Sequence, residues 1–113
     1  MSRDALFLSH MTRACEKIAT YIDGGKEAFY ASEMIQDAVL RNLETTKNLS
    51  QAMRDQASDQ PWRQIAGMRD KLTHDYFGVN LDRVWATAST ILPPFRARIA
   101  ELLAQTERED LEP

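Results

Sequence analysis

A short segment near the middle of the 113-residue chain carries the side chains best suited to chemistry. Four residues separate Arg69 from His74, and one more separates His74 from Tyr76. An imidazole can take or give a proton near neutral pH. A guanidinium can hold a phosphate through two hydrogen bonds and stabilise the charge that develops on it. These groups could together cleave RNA without a metal, by attack of a ribose 2′-hydroxyl on the adjacent phosphate.

The spacing of Arg69 and His74 limits how they can meet. On an ideal helix each residue advances by about 100°, so five steps place the two side chains about 140° apart. Either the helix loosens near Thr73, or the two groups meet across a twofold axis shared with a second subunit. By spacing alone we favour a third interpretation, in which Arg, His and Tyr cap helix carbonyls or pack along a helix rim.

The same segment is the most basic part of an acidic chain. The net charge is −3, which argues against bulk attraction to nucleic acid or to an anionic membrane. A polyanion would therefore have to bind a local patch. Arg63 and Lys71 are candidate phosphate-binding residues beside Arg69, and Asp70 and Asp75 partly offset their charge.

Composition predicts one domain over residues 1–113, with one modest core. The single cysteine, Cys15, excludes an internal disulfide framework and gives no zinc-binding spacing. We predict that Cys15 is a small core side chain, and a reactive thiol is the minor alternative. No metal and no cofactor are predicted. No apolar run resembles a signal peptide or could span a bilayer, so a soluble cytoplasmic protein is expected.

Hydrophobic periodicity predicts helices throughout the chain and no strands. The first helix should run from Ser2 to the Gly24-Gly25 pair, and Lys26–Tyr30 is either a connection or an extra turn. The apolar stripe of the first helix is Leu8, Met11, Cys15, Ile18 and Ile22. A second helix should run from about Ser32 to Leu49 or beyond, with Ile35, Val39, Leu43 and Thr46 on its apolar face.

The second half of the chain predicts two more helices. The third should begin at Pro61, which suits a first helical turn, and should bury Trp62, Ile65, Met68 and Leu72. The fourth should follow Asn80 as N-cap, with Val79 and Val84 as a hydrophobic staple. Its stripe of Leu81, Trp85, Ala88, Leu92, Phe95, Ile99 and Leu102 passes through Pro93-Pro94, which predicts a kink or two helices nearly in line. Residues 107–113 should form a frayed tail. The predicted fold is an all-α, antiparallel up-and-down bundle of four to five helices.

The run from Pro61 to Gly78 closely resembles the HepT-like family of HEPN domains. The family comprises the toxins that pair with minimal nucleotidyltransferases in type VII-like toxin–antitoxin systems. The resemblance extends to Ser2–Leu8, to Asp37–Glu44 and to the Leu-Pro-Pro near residue 93, and so covers nearly the whole chain. It implies a helical bundle that forms a homodimer, in which Arg and His from both subunits line a shared cleft.

The resemblance also implies roles for individual residues. Arg69 corresponds to the phosphate-binding arginine and His74 to the acid–base group of a metal-independent endoribonuclease. Asp70 matches the polar residue that often follows the arginine. Tyr76 matches the tyrosine to which a partner nucleotidyltransferase adds AMP, which would silence the toxin. The implied partners are RNA, a second copy of the chain and that nucleotidyltransferase, with no membrane involved.

One departure from the family pattern concerns the second helix. Typical members continue through a Gly-Glu-Ala-like turn, whereas here Thr45-Thr46 runs directly into Lys47–Ser50. About one helical turn is therefore missing, by the ~3.6-residue repeat. The shorter helix and the acidic balance favour an alternative function, a non-catalytic module that binds a nucleotide or a partner nucleotidyltransferase.

Lesser roles are expected for other polar residues. A place for Arg41 and Glu44 in the lining of the site is a further hypothesis. Tyr21 and Tyr30 lie in or near predicted helices and are expected to be packing or rim residues.

Overall fold

The computed structural model of the protein describes residues 3–43, 54–55, 60 and 80–111, with residues 110 and 111 described for their backbone only. All the regular elements in these ranges are helical, which confirms the predicted all-α class. The elements are α1 (Arg3–Tyr21), α2 (Lys26–Ala31), α3 (Glu33–Leu43), α4 (Leu81–Ala86), a π-helical segment (Thr87–Ile91) and α5 (Leu92–Leu111).

The first helix buries the predicted stripe. Leu8, Met11, Cys15 and Ile18 are all buried, and Ile22, just beyond the helix end, packs partly against the core. Their steps of three and four residues place them on one side of α1. The prediction that Cys15 is a core residue is therefore confirmed.

Two short breaks separate the first three helices. Gly25 precedes α2 with φ of 94°, a left-handed conformation that side chains with a Cβ rarely adopt. This explains why the chain turns at the predicted glycine pair. Lys26–Ala31 forms a complete short helix, so the extra turn is the correct alternative. Ser32 then begins α3, since its Oγ accepts a hydrogen bond from the backbone N–H of Ile35 at 3.1 Å.

The apolar face of α3 is as predicted over the described residues. Val39 and Leu43 are buried, and Ile35 is half-buried against the core. The predicted continuation towards Leu49, and the whole third helix from Pro61, lie outside the described residues.

The last helical run begins at the predicted cap. The Asn80 Oδ1 accepts hydrogen bonds from the backbone N–H groups of Asp82 at 3.0 Å and Arg83 at 3.2 Å. Val84 is fully buried and belongs to the main core. Its predicted staple partner, Val79, lies outside the described residues.

The helix is irregular in the turn that precedes the double proline, Pro93-Pro94. Pro93 and Pro94 lack the N–H groups that would bond to carbonyls four residues earlier. Over Thr87–Ile91 the helix widens to the π form, and the Leu92 N–H donates to the Thr87 carbonyl, five residues back. The irregularity expected at the prolines is thus a π segment ahead of them, and helical backbone extends from Leu81 to Leu111. Helix α5 extends to Leu111 and so includes part of the tail, residues 107–113, for which fraying is expected.

The core forms where α5 and α3 pack against α1, while α2 contacts α3 and α4. Burial of apolar surface is the main favourable term in forming such a bundle. An exposed ion pair between Arg96 and Glu16, 3.6 Å apart, adds little to the α1–α5 interface. Among the described residues, the fully buried large side chains are Leu8, Met11, Ile18, Phe29, Val39, Leu43, Val84, Phe95, Ile99 and Leu102.

Candidate functional site

The predicted site residues belong to the segment from Pro61 to Gly78, which lies outside the described residues. On one side α3 is described as far as Leu43, and on the other the chain is described again from Asn80. Glu44, which follows α3, lies outside the described residues. The predicted residues outside the described part are Arg63, Arg69, Asp70, Lys71, His74 and Tyr76.

A contact between α2 and α4 holds the start of α4. The phenol of Tyr30 donates a hydrogen bond to the Asp82 Oδ1. This bond, helped by desolvation and by the nearby negative charge, raises the pKa of Tyr30 to about 12. The Lys26 Nζ lies 5.8 Å from the centroid of the Tyr30 ring, within cation–π range. Tyr30 is half-buried and packs against the core, in agreement with the prediction that it is a packing or rim residue, and it also forms this contact between helices.

Nothing in the sequence marks the Tyr30–Asp82 pair. The two residues are 52 positions apart and share no motif. Asp82 could be read from sequence only as an acidic residue in the first turn of a helix, where it complements the helix dipole.

A surface cavity of about 360 Å³ opens beside this contact. Its walls combine an aromatic ring, aliphatic side chains, an amide and two carboxylates. Negative charge from Glu33 and Asp37 disfavours a phosphate there. The lining includes Tyr30, Glu33, Gln36, Asp37, Leu40 and Leu81.

Arg41 of α3 lines a different surface cavity. This cavity, of about 500 Å³, is also lined by Tyr21, Met34, Asp37 and Asn42. The cation therefore sits near a carboxylate and an exposed methionine, and its proposed place beside the motif remains a hypothesis.

Metal ligation and membrane insertion are two further roles to consider for the described residues. Within residues 3–43, 54–55, 60 and 80–111, no group of three or more His, Cys, Asp or Glu side chains is arranged to hold a metal ion. In the same part of the chain, no helix combines the length and apolar character needed to cross a bilayer.

The Cys15 thiol should be unreactive in the folded protein. Burial raises its pKa from 9.0 to about 11, against a smaller opposing effect of Arg96. At pH 8 an aromatic disulfide reagent should label it only as fast as the protein unfolds, and should label it fully in urea. Because the folded pKa is raised, this group's contribution to stability is complete below pH 9 and is lost as the pH rises towards 11. Rapid labelling of one equivalent without denaturant would show that the thiol is accessible.

Comparison with known proteins shows which family the chain is similar to. A family model described as "Ribonuclease HepT-like" matches residues 11–102. "Putative RNase TTE0752" of Caldanaerobacter subterraneus subsp. tengcongensis is 36% identical over 102 residues, covering 86% of this chain and 91% of that protein. "Probable ribonuclease HepT" of Thermococcus cleftensis is 35% identical over 80 residues, covering 67% and 73% respectively.

A longer relative shows the same similarity over part of its length. "Gamma-glutamylcyclotransferase and putative RNase MJ0434" of Methanocaldococcus jannaschii is 31% identical over 108 residues. The match covers 91% of this chain and 49% of that protein. No solved structure is significantly similar to the chain.

Proposed function

The chain belongs to the HepT-like ribonuclease family, and from this we propose that it is a metal-independent endoribonuclease that acts as the toxin of a type VII-like toxin–antitoxin pair. One observation carries the proposal. The family match over residues 11–102 spans the segment with Arg69, His74 and Tyr76, where the residue types suit cleavage of RNA. Because the substrate is RNA, we place the activity in the cytoplasm.

In the proposed reaction the ribose 2′-hydroxyl attacks the adjacent phosphorus. A neutral imidazole of His74 removes the 2′ proton as the new oxygen–phosphorus bond forms. Arg69 binds the non-bridging oxygens and stabilises the charge that develops on them. The 5′ oxygen leaves with a proton from a protonated imidazole, giving a 2′,3′-cyclic phosphate and a 5′-hydroxyl. Arg63, Asp70 and Lys71 are proposed to support phosphate binding and the orientation of Arg69.

A homodimer would supply the second imidazole that this scheme uses. Each chain has one His in the motif, and His10 lies on α1, exposed, in a separate part of the sequence. Two copies of the motif meeting at a twofold axis would bring one base and one acid to a single phosphate. It would also remove the difficulty that Arg69 and His74 are about 140° apart on one straight helix.

The direct test is cleavage of RNA by the purified protein in the presence of EDTA. We expect an unstructured RNA to be cut to products with 2′,3′-cyclic phosphate and 5′-hydroxyl ends. If no cleavage occurs while the protein still forms a tight complex with a nucleotidyltransferase, the non-catalytic binding module becomes the correct function. The net charge of −3 is the observation that keeps this alternative open.

We further propose that the partner nucleotidyltransferase silences the toxin by adding AMP to Tyr76. Incubation with the partner, ATP and magnesium should raise the intact mass by whole AMP units and abolish RNA cleavage. The physical reason is that an added phosphate brings negative charge to a site that must bind an RNA phosphate. Intact-mass spectrometry measures the modification, and the cleavage assay measures its effect.

Substitution of each tyrosine identifies the modified residue. Tyr76→Phe should accept no AMP, whereas Tyr21→Phe and Tyr30→Phe should be modified as the wild type is. An unchanged mass in the wild type, or a mass increase retained by Tyr76→Phe, would contradict the assignment.

A further inference from the structure

The outward face of α1 carries positive charge. Arg3, Arg13 and Lys17 are exposed along this helix, and we call them the α1 cationic face. At about 100° and 1.5 Å per residue, the three positions lie within an arc of about 80° and span about 21 Å of helix axis. His10 shares this arc and is counted as neutral in the net charge. The arc lies roughly opposite the buried stripe of the helix.

The carboxylates of α1 do not neutralise this face. Glu16 is the exposed acid of the helix, and its Oε1 lies 3.6 Å from the Arg96 Nη2 of α5. Asp4 is half-buried, at a position about 140–180° around the helix from Lys17 and Arg13. In the described part of the chain, neither Arg13 nor Lys17 forms an ion pair. The charge of the face can therefore act on an anion outside the protein.

Helix stability does not account for this arrangement. Arg13 and Lys17 are four residues apart, and like charges at that spacing disfavour a helix slightly. Arg3 lies in the first turn, where the helix dipole favours acidic side chains. A surface that mixes both signs would serve solubility as well, and α5 has one, in which Arg98 and Glu101 are 3.0 Å apart. The cations of α1 thus favour an anionic partner.

We propose that the α1 cationic face binds the phosphate backbone of the RNA substrate, at a surface outside the motif segment. The inference rests on the proposed function. A chain with a net charge of −3 needs a local patch to attract a polyanion. Three cations spread over about 21 Å can contact several phosphates of one strand without reading its bases. Binding through this face should therefore be independent of sequence and sensitive to salt.

The test measures binding to an RNA that cannot be cleaved. A fluorescein-labelled oligouridylate with methylated 2′-hydroxyls is titrated with the protein, and fluorescence anisotropy gives the affinity. Each cation that contacts a single strand contributes about 0.7 to the slope of log affinity against log salt concentration. Arg13→Gln/Lys17→Gln should therefore reduce the slope by about 1.4 and weaken binding about 25-fold at about 0.1 M salt. Arg3→Gln in addition should weaken binding about fivefold further.

Two control variants separate the face from net charge. Arg98→Gln/Arg108→Gln removes two cations of α5, and affinity for RNA should stay within about twofold because distant charges are screened. Arg13→Lys/Lys17→Arg keeps both charges and should bind as the wild type does.

A third measurement excludes unfolding as the cause. The melting temperature of Arg13→Gln/Lys17→Gln should not fall, because the substitutions remove a like-charge pair. Equal losses of affinity in the α1 and α5 glutamine variants, or no loss in the α1 variant, would overturn the proposal.

Cleavage assays distinguish failure of this inference from failure of the proposed function. If the wild type cleaves RNA, Arg13→Gln/Lys17→Gln should lower kcat/KM about 25-fold, mostly through KM. If the wild type binds RNA but cleaves none, the proposed function fails and the face is judged on anisotropy alone. If the variant binds RNA normally but no longer forms a complex with a nucleotidyltransferase, the face binds that protein and the RNA assignment is refuted.

Discussion

Replacement of His74 by Ala should lower the rate of metal-free RNA cleavage by about 10²–10⁴-fold. The physical reason is the loss of the group that takes the 2′ proton and returns one to the 5′ oxygen. Arg69 and the basic residues around it would still bind phosphate, so RNA affinity should fall much less than kcat. The measurement is single-turnover cleavage of a labelled RNA in EDTA, with affinity measured separately on an RNA whose 2′-hydroxyls are methylated.

The chain supplies its own control for this experiment. The other histidine of the sequence, His10, is exposed on α1, and His10→Ala should leave the rate unchanged. Imidazole ordinarily titrates between pH 5 and 8, so the wild-type rate should change across this range and the residual rate of His74→Ala should not. The same weak activity in wild type and His74→Ala would show contamination by another nuclease and would remove the enzyme hypothesis.

Replacement of Phe95 by Ala should cause a large loss of stability. The Phe95 side chain is fully buried in α5, and a truncation of this kind ordinarily destabilises a protein by about 3–5 kcal/mol because it leaves a cavity. Domains of this kind are stable by only about 5–15 kcal/mol, so the variant should be partly unfolded at moderate temperature. Urea denaturation followed by circular dichroism gives the free energy of unfolding.

Met34→Ala is the matched control for Phe95→Ala. Met34 is a large apolar side chain that is 78% exposed on α3, and its truncation should change stability by no more than about 0.5 kcal/mol. Similar losses for the two variants would mean that Met34 is covered in solution or that Phe95 is not part of the core.

The helices were predictable because their determinants are local. The stripe of Leu8, Met11, Cys15 and Ile18 repeats at the helical period, and all four are buried. Asn80 was predictable as a cap because its side chain needs only the next two or three backbone N–H groups. The π segment over Thr87–Ile91 was not predicted, because the missing proline N–H groups can be accommodated by a kink, a break or a wider turn, and neighbouring helices decide among these.

The candidate site was predicted from residue types and from the family resemblance. The match to the HepT-like ribonuclease family confirms the predicted family. The roles of Arg69, His74 and Tyr76 are proposals. No sequence pattern pointed to the contact of Tyr30 with Asp82, because a tyrosine in a six-residue helix has no periodic signal that separates a rim position from an interhelical contact.

From the amino-acid sequence one can read the helical class, the buried faces of the described helices, the cap at Asn80 and the family, since each depends on residues within a few positions or on a recognisable run. The folded structure was needed to show that Tyr30 donates a hydrogen bond to Asp82 and that Gln36 of α3 donates one to the Phe29 carbonyl of α2. Contacts between helices depend on how the apolar faces pack together. Helical periodicity fixes which face of each helix turns inward, but not which side chains at its margin meet a neighbouring helix.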